Sequence, residues 1–125
     1  AYYANDINGD IFISIHANAS TSSDKSGTAT YFYAPYGDEL GEQRGERWRL
    51  ANSIQEALVA MLGRKDMGVQ EDNFSVLRNT AMASVLVEVA FISNSTEEKL
   101  LADPVFQARA AQGIFNGINE YISGI

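Results

Sequence analysis

The run Ser84-Val85-Leu86-Val87-Glu88-Val89-Ala90-Phe91-Ile92 constrains this chain more than any other stretch. It is the longest apolar run, yet it is strand-sized and far below the ~18 residues of a membrane-crossing helix. Its β-branched content predicts a strand over Ser84–Phe91. Glu88 sits inside it with apolar neighbours on both sides. An ionised carboxylate left unpaired in such surroundings costs several kcal/mol. Glu88 therefore has a partner, lines a cleft or holds a proton. A structural ion pair with Arg78 is one reading. A general base or acid is the other, because burial raises a carboxylate pKa toward neutrality.

A second strand is expected over Asp10-Ile11-Phe12-Ile13-Ser14-Ile15-His16, with Ile11, Ile13 and Ile15 on one face and Phe12, Ser14 and His16 on the other. Both faces are largely apolar, as in a strand covered on both sides. The tail of a helix (Ala1 to Asn5) and an Asn8-Gly9 turn precede it. A polar loop from Asn18 to Gly27 leads to a third strand, Thr28-Ala29-Thr30-Tyr31-Phe32-Tyr33. A short strand is expected around Ser75-Val76-Leu77.

Helices fill the intervals. Asp38 to Leu62 reads as mostly helical, firm from Glu46, with Trp48, Ala51, Ile54, Leu58, Met61 and Leu62 on its apolar stripe and Gly63 as C-cap. Arg44, Arg47 and Arg49 read as a solvated face beside Glu42 and Glu46. Ser95-Thr96-Glu97-Glu98 is a capping box for a helix to Leu101. Asp103-Pro104 starts a last helix to Ile122, with Val105, Ala108, Ala111, Phe115, Ile118 and Ile122 along its buried side. Strands alternating with helices predict an α/β fold: a mostly parallel or mixed sheet flanked by helices on both faces.

The 125 residues show no linker or repeat, so 1–125 reads as a single domain or a piece of one. Hydrophobic residues make up 46%, which excludes wholesale disorder. A net charge of −7 argues against a general nucleic-acid binder and against docking on anionic lipid. There is no cysteine, hence no disulfide scaffold and no thiolate metal site. No signal peptide is visible, and the chain opens on Ala1, as a mature product or a fragment does.

His16, the only histidine, ends a predicted strand, where open α/β sheets place their sites. A core histidine satisfied by a hydrogen bond is the plainer reading. One histidine does not make a zinc site: catalytic zinc takes three protein ligands, and no His-Glu-x-x-His spacing supplies them. Asn18 and Asn73 read as turn residues able to hydrogen-bond a substrate. Arg78 can grip a carboxylate, and Tyr31 and Tyr33 read as strand packing able to stack on a sugar.

Taken in order, these segments resemble a known family. Phe12-Ile13-Ser14-Ile15-His16-Ala17-Asn18-Ala19 looks like its strand-plus-histidine motif, and Gly27-Thr28-Ala29-Thr30-Tyr31-Phe32 like its glycine-led strand. Gly68-Val69, Asn73-Phe74 and Val76-Leu77-Arg78-Asn79-Thr80 keep the order, and Val85-Leu86-Val87-Glu88-Val89-Ala90-Phe91-Ile92-Ser93-Asn94 is similar to its most specific signature. The chain is thereby similar to the zinc-dependent N-acetylmuramoyl-L-alanine amidases of the type-3 class. These occur as cell-separation amidases, sporulation lysins and phage endolysins.

The resemblance implies hydrolysis of the amide between N-acetylmuramic acid and the L-alanine of the stem peptide, with a zinc ion as cofactor. It makes His16 a zinc ligand and Glu88 the group that activates the water and protonates the leaving amine. It also implies two further ligands, a histidine and a glutamate, in a strand and helix preceding the region that matches Ala1. This chain then reads as the C-terminal larger part of an amidase domain, with the missing N-terminal segment as its partner and peptidoglycan as substrate. Met67 and Ala83 depart from the family pattern, where arginine and proline are frequent. The substrate places the activity at the cell wall, outside the cytoplasmic membrane or in the periplasm. Two other readings are a non-catalytic peptidoglycan-binding or regulatory remnant and a zinc hydrolase of carboxypeptidase-like topology.

Overall fold

The computed structural model describes residues 1–124. In chain order the elements are α1 (Tyr2–Asp6), β1 (Ile11–Asn18), β2 (Thr28–Phe32), α2 (Glu39–Glu42), α3 (Arg44–Leu62), β3 (Asp66–Glu71), α4 (Ser75–Arg78), β4 (Ala83–Phe91), α5 (Ser95–Leu101) and α6 (Pro104–Ser123). The four strands form one sheet in the order β1-β4-β2-β3. β1 runs parallel to β4 and β3 parallel to β2, whereas β2 and β4 are antiparallel. The sheet is therefore mixed, and the α/β architecture is as expected.

Alternation along the strands sorts residues to two faces. Val85, Val87 and Val89 of β4, with Phe32 of β2, join Leu50, Ile54 and Leu58 of α3 and Phe106, Ala110 and Ile114 of α6 in the core. Ile11 and Ile13 of β1 pack against its margin. The opposite face carries Tyr31, which Phe74, the residue before α4, meets edge-on at 5.2 Å between ring centroids.

The structure corrects several expectations. Ser75–Arg78 is a helical turn, not a strand. The strand of that region is β3, whose Gly68 takes a φ of 77°. Its residues Asp66, Met67, Gly68 and Gln70 give no alternating apolar signal. β1 lies at a sheet edge rather than under cover on both sides, and Ile15 is 58% exposed.

On α3 the buried residues are Arg47, Leu50, Ala51, Ile54, Gln55 and Leu58, while Trp48 is 48% exposed. Two polar residues lie on that face because the sheet offers them partners. Gln55 accepts from the Thr30 hydroxyl and donates to the Thr28 carbonyl and to Asp66. Arg47 is fully buried, not solvated, and donates to the carbonyls of Leu77, Thr80 and Met82 and to the Ser84 hydroxyl. Arg44 pairs bidentately with Glu71 at the end of β3.

α6 is turned one residue from expectation: Phe106, Ala110, Gly113, Ile114, Gly117 and Tyr121 face inward, and Val105, Phe115 and Ile122 outward. Close helix approach explains this. A Cβ on Gly117 would lie 2.5 Å from the Ile54 Cα. The contact is made by the small residues, not by the largest apolar ones. Asp103 caps α6 as expected, accepting from the Val105 amide, with Pro104 at its start. α5 is capped by Asn94 rather than Ser95, its side chain accepting from the Glu97 amide.

Candidate active site

β1 and β4 set His16 directly opposite Glu88 on one rung of their parallel ladder. On the other flank of β4, the antiparallel β2 sets Ala29 opposite Glu88 and Tyr31 opposite Leu86. By alternation Ser14, His16, Glu88, Ala29 and Tyr31 share the face opposite the α3–α6 core. A register shift follows at once: after His16–Glu88, the next matched pair is Asn18–Phe91. β4 thus has one more residue than β1 in that step, a bulge of the kind that re-aims a side chain and ends pairing near active sites.

Among the described residues Glu88 forms no salt bridge. Its Oε2 is buried and makes no hydrogen bond, the one such side-chain atom found among the described residues. Burial raises its pKa above the ordinary glutamate value, and the His16 charge opposes that in smaller measure. The ion pair with Arg78 is not formed: Arg78 donates instead to the Asn73 side chain at 2.6 Å. His16 is exposed, and its Nε2 shares a hydrogen bond of 2.8 Å with the Ser14 hydroxyl. It is therefore not a core histidine.

Tyr31 flanks the pair along the same face. Its hydroxyl pKa is raised, first by burial, then by the negative charges of Glu88 and Asp72. Asn73 and Arg78 adjoin Tyr31 through Phe74 and lie beyond the end of β3, not on the His16–Glu88 rung. Asn18 ends β1, where its side chain accepts from the Ala19 amide at 2.9 Å and its carbonyl accepts from the Ile92 amide at 2.7 Å. Of the residues singled out in the sequence, the structure brings His16 and Glu88 together, with Asn18 on the next matched pair. Asn73 and Arg78 form a separate pair.

Sequence reasoning missed two residues of this region. Ser14 holds the His16 ring, and its signal was the two-residue spacing that puts both on one face. Glu97, read as a helix-capping glutamate, is fully buried and binds the backbone of Phe91 and Gly27. No periodicity marks it.

The donor set does not fit the zinc ion that the resemblance implies. Among the described residues no three His, Cys, Asp or Glu side chains come together so as to hold a metal ion. His16 and Glu88 alone fall short of the three protein ligands of a catalytic zinc.

A family model described as N-acetylmuramoyl-L-alanine amidase matches residues 1–120. The chain is 42% identical over 112 residues to the N-acetylmuramoyl-L-alanine amidase LytC of Bacillus subtilis, covering 90% of this chain and 21% of LytC. It is equally identical over 112 residues to the uncharacterized protein YqiI of the same organism, covering 51% of that protein. The catalytic domain of CwlV, an N-acetylmuramoyl-L-alanine amidase from Bacillus (Paenibacillus) polymyxa, superposes with a TM-score of 0.85 at 39% identity, over 98% of this chain and 63% of that one. An N-acetylmuramoyl-L-alanine amidase of Clostridium difficile 630 gives a TM-score of 0.88 at 30% identity, again over 98% and 63%. The chain thus spans about half or less of these curated relatives and under two thirds of these structures. With the family model spanning residues 1–120 and the fold in common with these structures, the chain belongs to the type-3 family of N-acetylmuramoyl-L-alanine amidases.

Proposed function

We propose that this chain is the larger part of a catalytic domain that cleaves the amide between N-acetylmuramic acid and the L-alanine of the peptidoglycan stem peptide. One observation carries the reading: the half-buried Glu88, whose Oε2 is buried and unpaired, on the same rung as His16. An orphaned buried acceptor costs stability and is retained where a ligand supplies the missing proton. Glu88 has what a general base and acid needs. Its raised pKa lets it take a proton from an attacking water and return it to the departing amine nitrogen. The C–N bond breaks as the C–O bond forms, giving the muramoyl carboxylic acid and a stem peptide with a free L-alanine amine. Asn18, Asn73 and Arg78 are proposed substrate contacts, Arg78 toward a stem-peptide carboxylate. The activity belongs at the cell wall.

His16 is proposed as one ligand of a zinc ion whose other ligands lie outside this sequence. The exposed edge of β1 supports that reading. Ile15, Val89, Phe106, Ala110 and Ile114 line an apolar groove of about 230 Å³ beside it. A preceding strand and helix of the same polypeptide would cover that groove and complete the ligand set. The relatives that match are longer than this chain.

The test is Glu88→Gln in the full-length polypeptide, assayed for release of stem peptides from purified peptidoglycan. A loss of about 10²-fold or more is expected, the usual contribution of a positioned acid–base group. Turnover at the unmodified rate would remove Glu88 from the mechanism. The short ligand set favours a second reading, a wall-binding remnant without catalysis. It predicts retention on peptidoglycan with no stem peptide released by the unmodified full-length protein.

A further inference from the structure

We propose that Glu97 is a positioning residue for Glu88: its buried carboxylate holds the β4 bulge that interrupts strand pairing just past the His16–Glu88 rung. The catalytic consequence rests on the amidase reading; the positioning itself does not.

Glu97 is the third residue of α5 and fully buried. A glutamate at that place in a helix ordinarily turns back to the amide of the capping residue. Here that amide, of Asn94, donates to the Phe91 carbonyl at 3.2 Å. Glu97 is free to reach elsewhere. Its Oε1 accepts from the Phe91 amide at 2.8 Å and the Gly27 amide at 3.0 Å. Its Oε2 accepts from Gly27 at 3.1 Å and from the Arg64 Nε at 2.8 Å.

These two amides bracket the site. Phe91 is the residue at which pairing with β1 resumes after the bulge. Gly27 precedes β2 by one residue, and Ala29, two residues on, faces Glu88. Gly27 has a φ of 123°, and a Cβ there would lie 2.7 Å from the Lys65 carbonyl oxygen, so the chain passes where only glycine fits. Between the two amides, the Thr28 hydroxyl donates to the carbonyl of Val89, the residue after Glu88. One carboxylate therefore ties the end of β4 to the start of β2 on the side where the ladder opens. Its hydrogen bonds are charge-assisted, which makes them the stronger kind. Burial of the charge is offset by Arg64, itself partly exposed. A glutamine at 97 keeps the shape but replaces an acceptor oxygen with a donor. That donor would face either the Gly27 and Phe91 N–H groups or Arg64.

The experiment uses the full-length polypeptide with Glu97→Gln, and Leu50→Ala in the α3 core as a control for lost stability away from the site. Stem-peptide release and melting temperature are measured on each, together with amide exchange and alanine-methyl resonances. The expected result for Glu97→Gln is a fall in kcat of tenfold or more with KM within twofold. Leu50→Ala, at equal or larger loss of melting temperature, should keep its kcat. In Glu97→Gln the Phe91 and Gly27 amides should lose protection and the Ala29 methyl resonance should move, while that of Ala51 in the core stays. An unmoved Ala29 methyl, or a kcat that follows melting temperature alike in both variants, overturns the proposal. If the unmodified protein releases no stem peptide, the amidase reading fails, and the Ala29 resonance alone decides the positioning role. Should Glu97→Gln not fold, Arg64→Leu replaces it, with the same readouts and the same deciding outcomes.

Discussion

His16 and Glu88 lie 72 positions apart in sequence and share one rung of the β1–β4 ladder. The parallel pairing brings an exposed imidazole and a half-buried glutamate with one buried, unpaired oxygen to the same face. That arrangement costs stability, because the buried Oε2 of ionised Glu88 has no hydrogen-bond partner among the described residues.

The metal-free chain should therefore gain stability from Glu88→Gln at neutral pH. Glu88 has a folded pKa above its unfolded value, so the folded state binds the proton more tightly. Stability contributed by that proton is present below the ordinary glutamate pKa of about 4.3 and is lost as pH rises through the raised folded value. Urea unfolding across this window should show the variant's advantage growing with pH and vanishing in acid. An advantage that is greatest in acid would contradict the burial argument.

Zinc should not remain on this 125-residue chain by itself. His16 and Glu88 fall short of three ligands, and elemental analysis after dialysis is expected to find well below one zinc per chain. Stoichiometric zinc, lost in His16→Ala, would show that other side chains of this sequence close the site.

Arg47→Lys should destabilise strongly, by about 3 kcal/mol. The guanidinium serves carbonyls of Leu77, Thr80 and Met82 and the Ser84 hydroxyl from a buried position, with burial lowering its pKa. An ammonium has three donors and a shorter reach, so buried acceptors are left unmet. Thermal and urea unfolding measure the loss; a change below about 1 kcal/mol would mean that water replaces the guanidinium.

Gly117→Ala tests the α3–α6 approach by its sign. In an exposed helix the change stabilises by up to about 1 kcal/mol. Here the new Cβ would sit 2.5 Å from the Ile54 Cα, so the helices must separate, at a cost of about 2 kcal/mol. A raised melting temperature would refute the close packing.

Much of this was legible in the sequence because the signals are local. The apolar run around Glu88, the alternating Asp10–His16 segment and the Asp103-Pro104 cap each state an element within a few residues. The acid inside an apolar strand also announced itself, since a carboxylate in such a run needs a partner, a cleft or a proton. The motif order identified the family before any geometry was known.

What the sequence alone determined was the presence of these elements, the two residues that stand out as candidates for the site, and the family. Only the tertiary structure decided which faces meet. It chose Gly113 and Gly117 over Val105 and Phe115 for the α3 contact, because backbones approach most closely over small residues. It buried Arg47 and Glu97, because carbonyls and amides brought from distant segments satisfy them. It also left Arg78 with Asn73 and Glu88 without a cation. A side chain's partner across 30 or 70 residues is fixed by strand register and helix rotation, and neither is written in local periodicity.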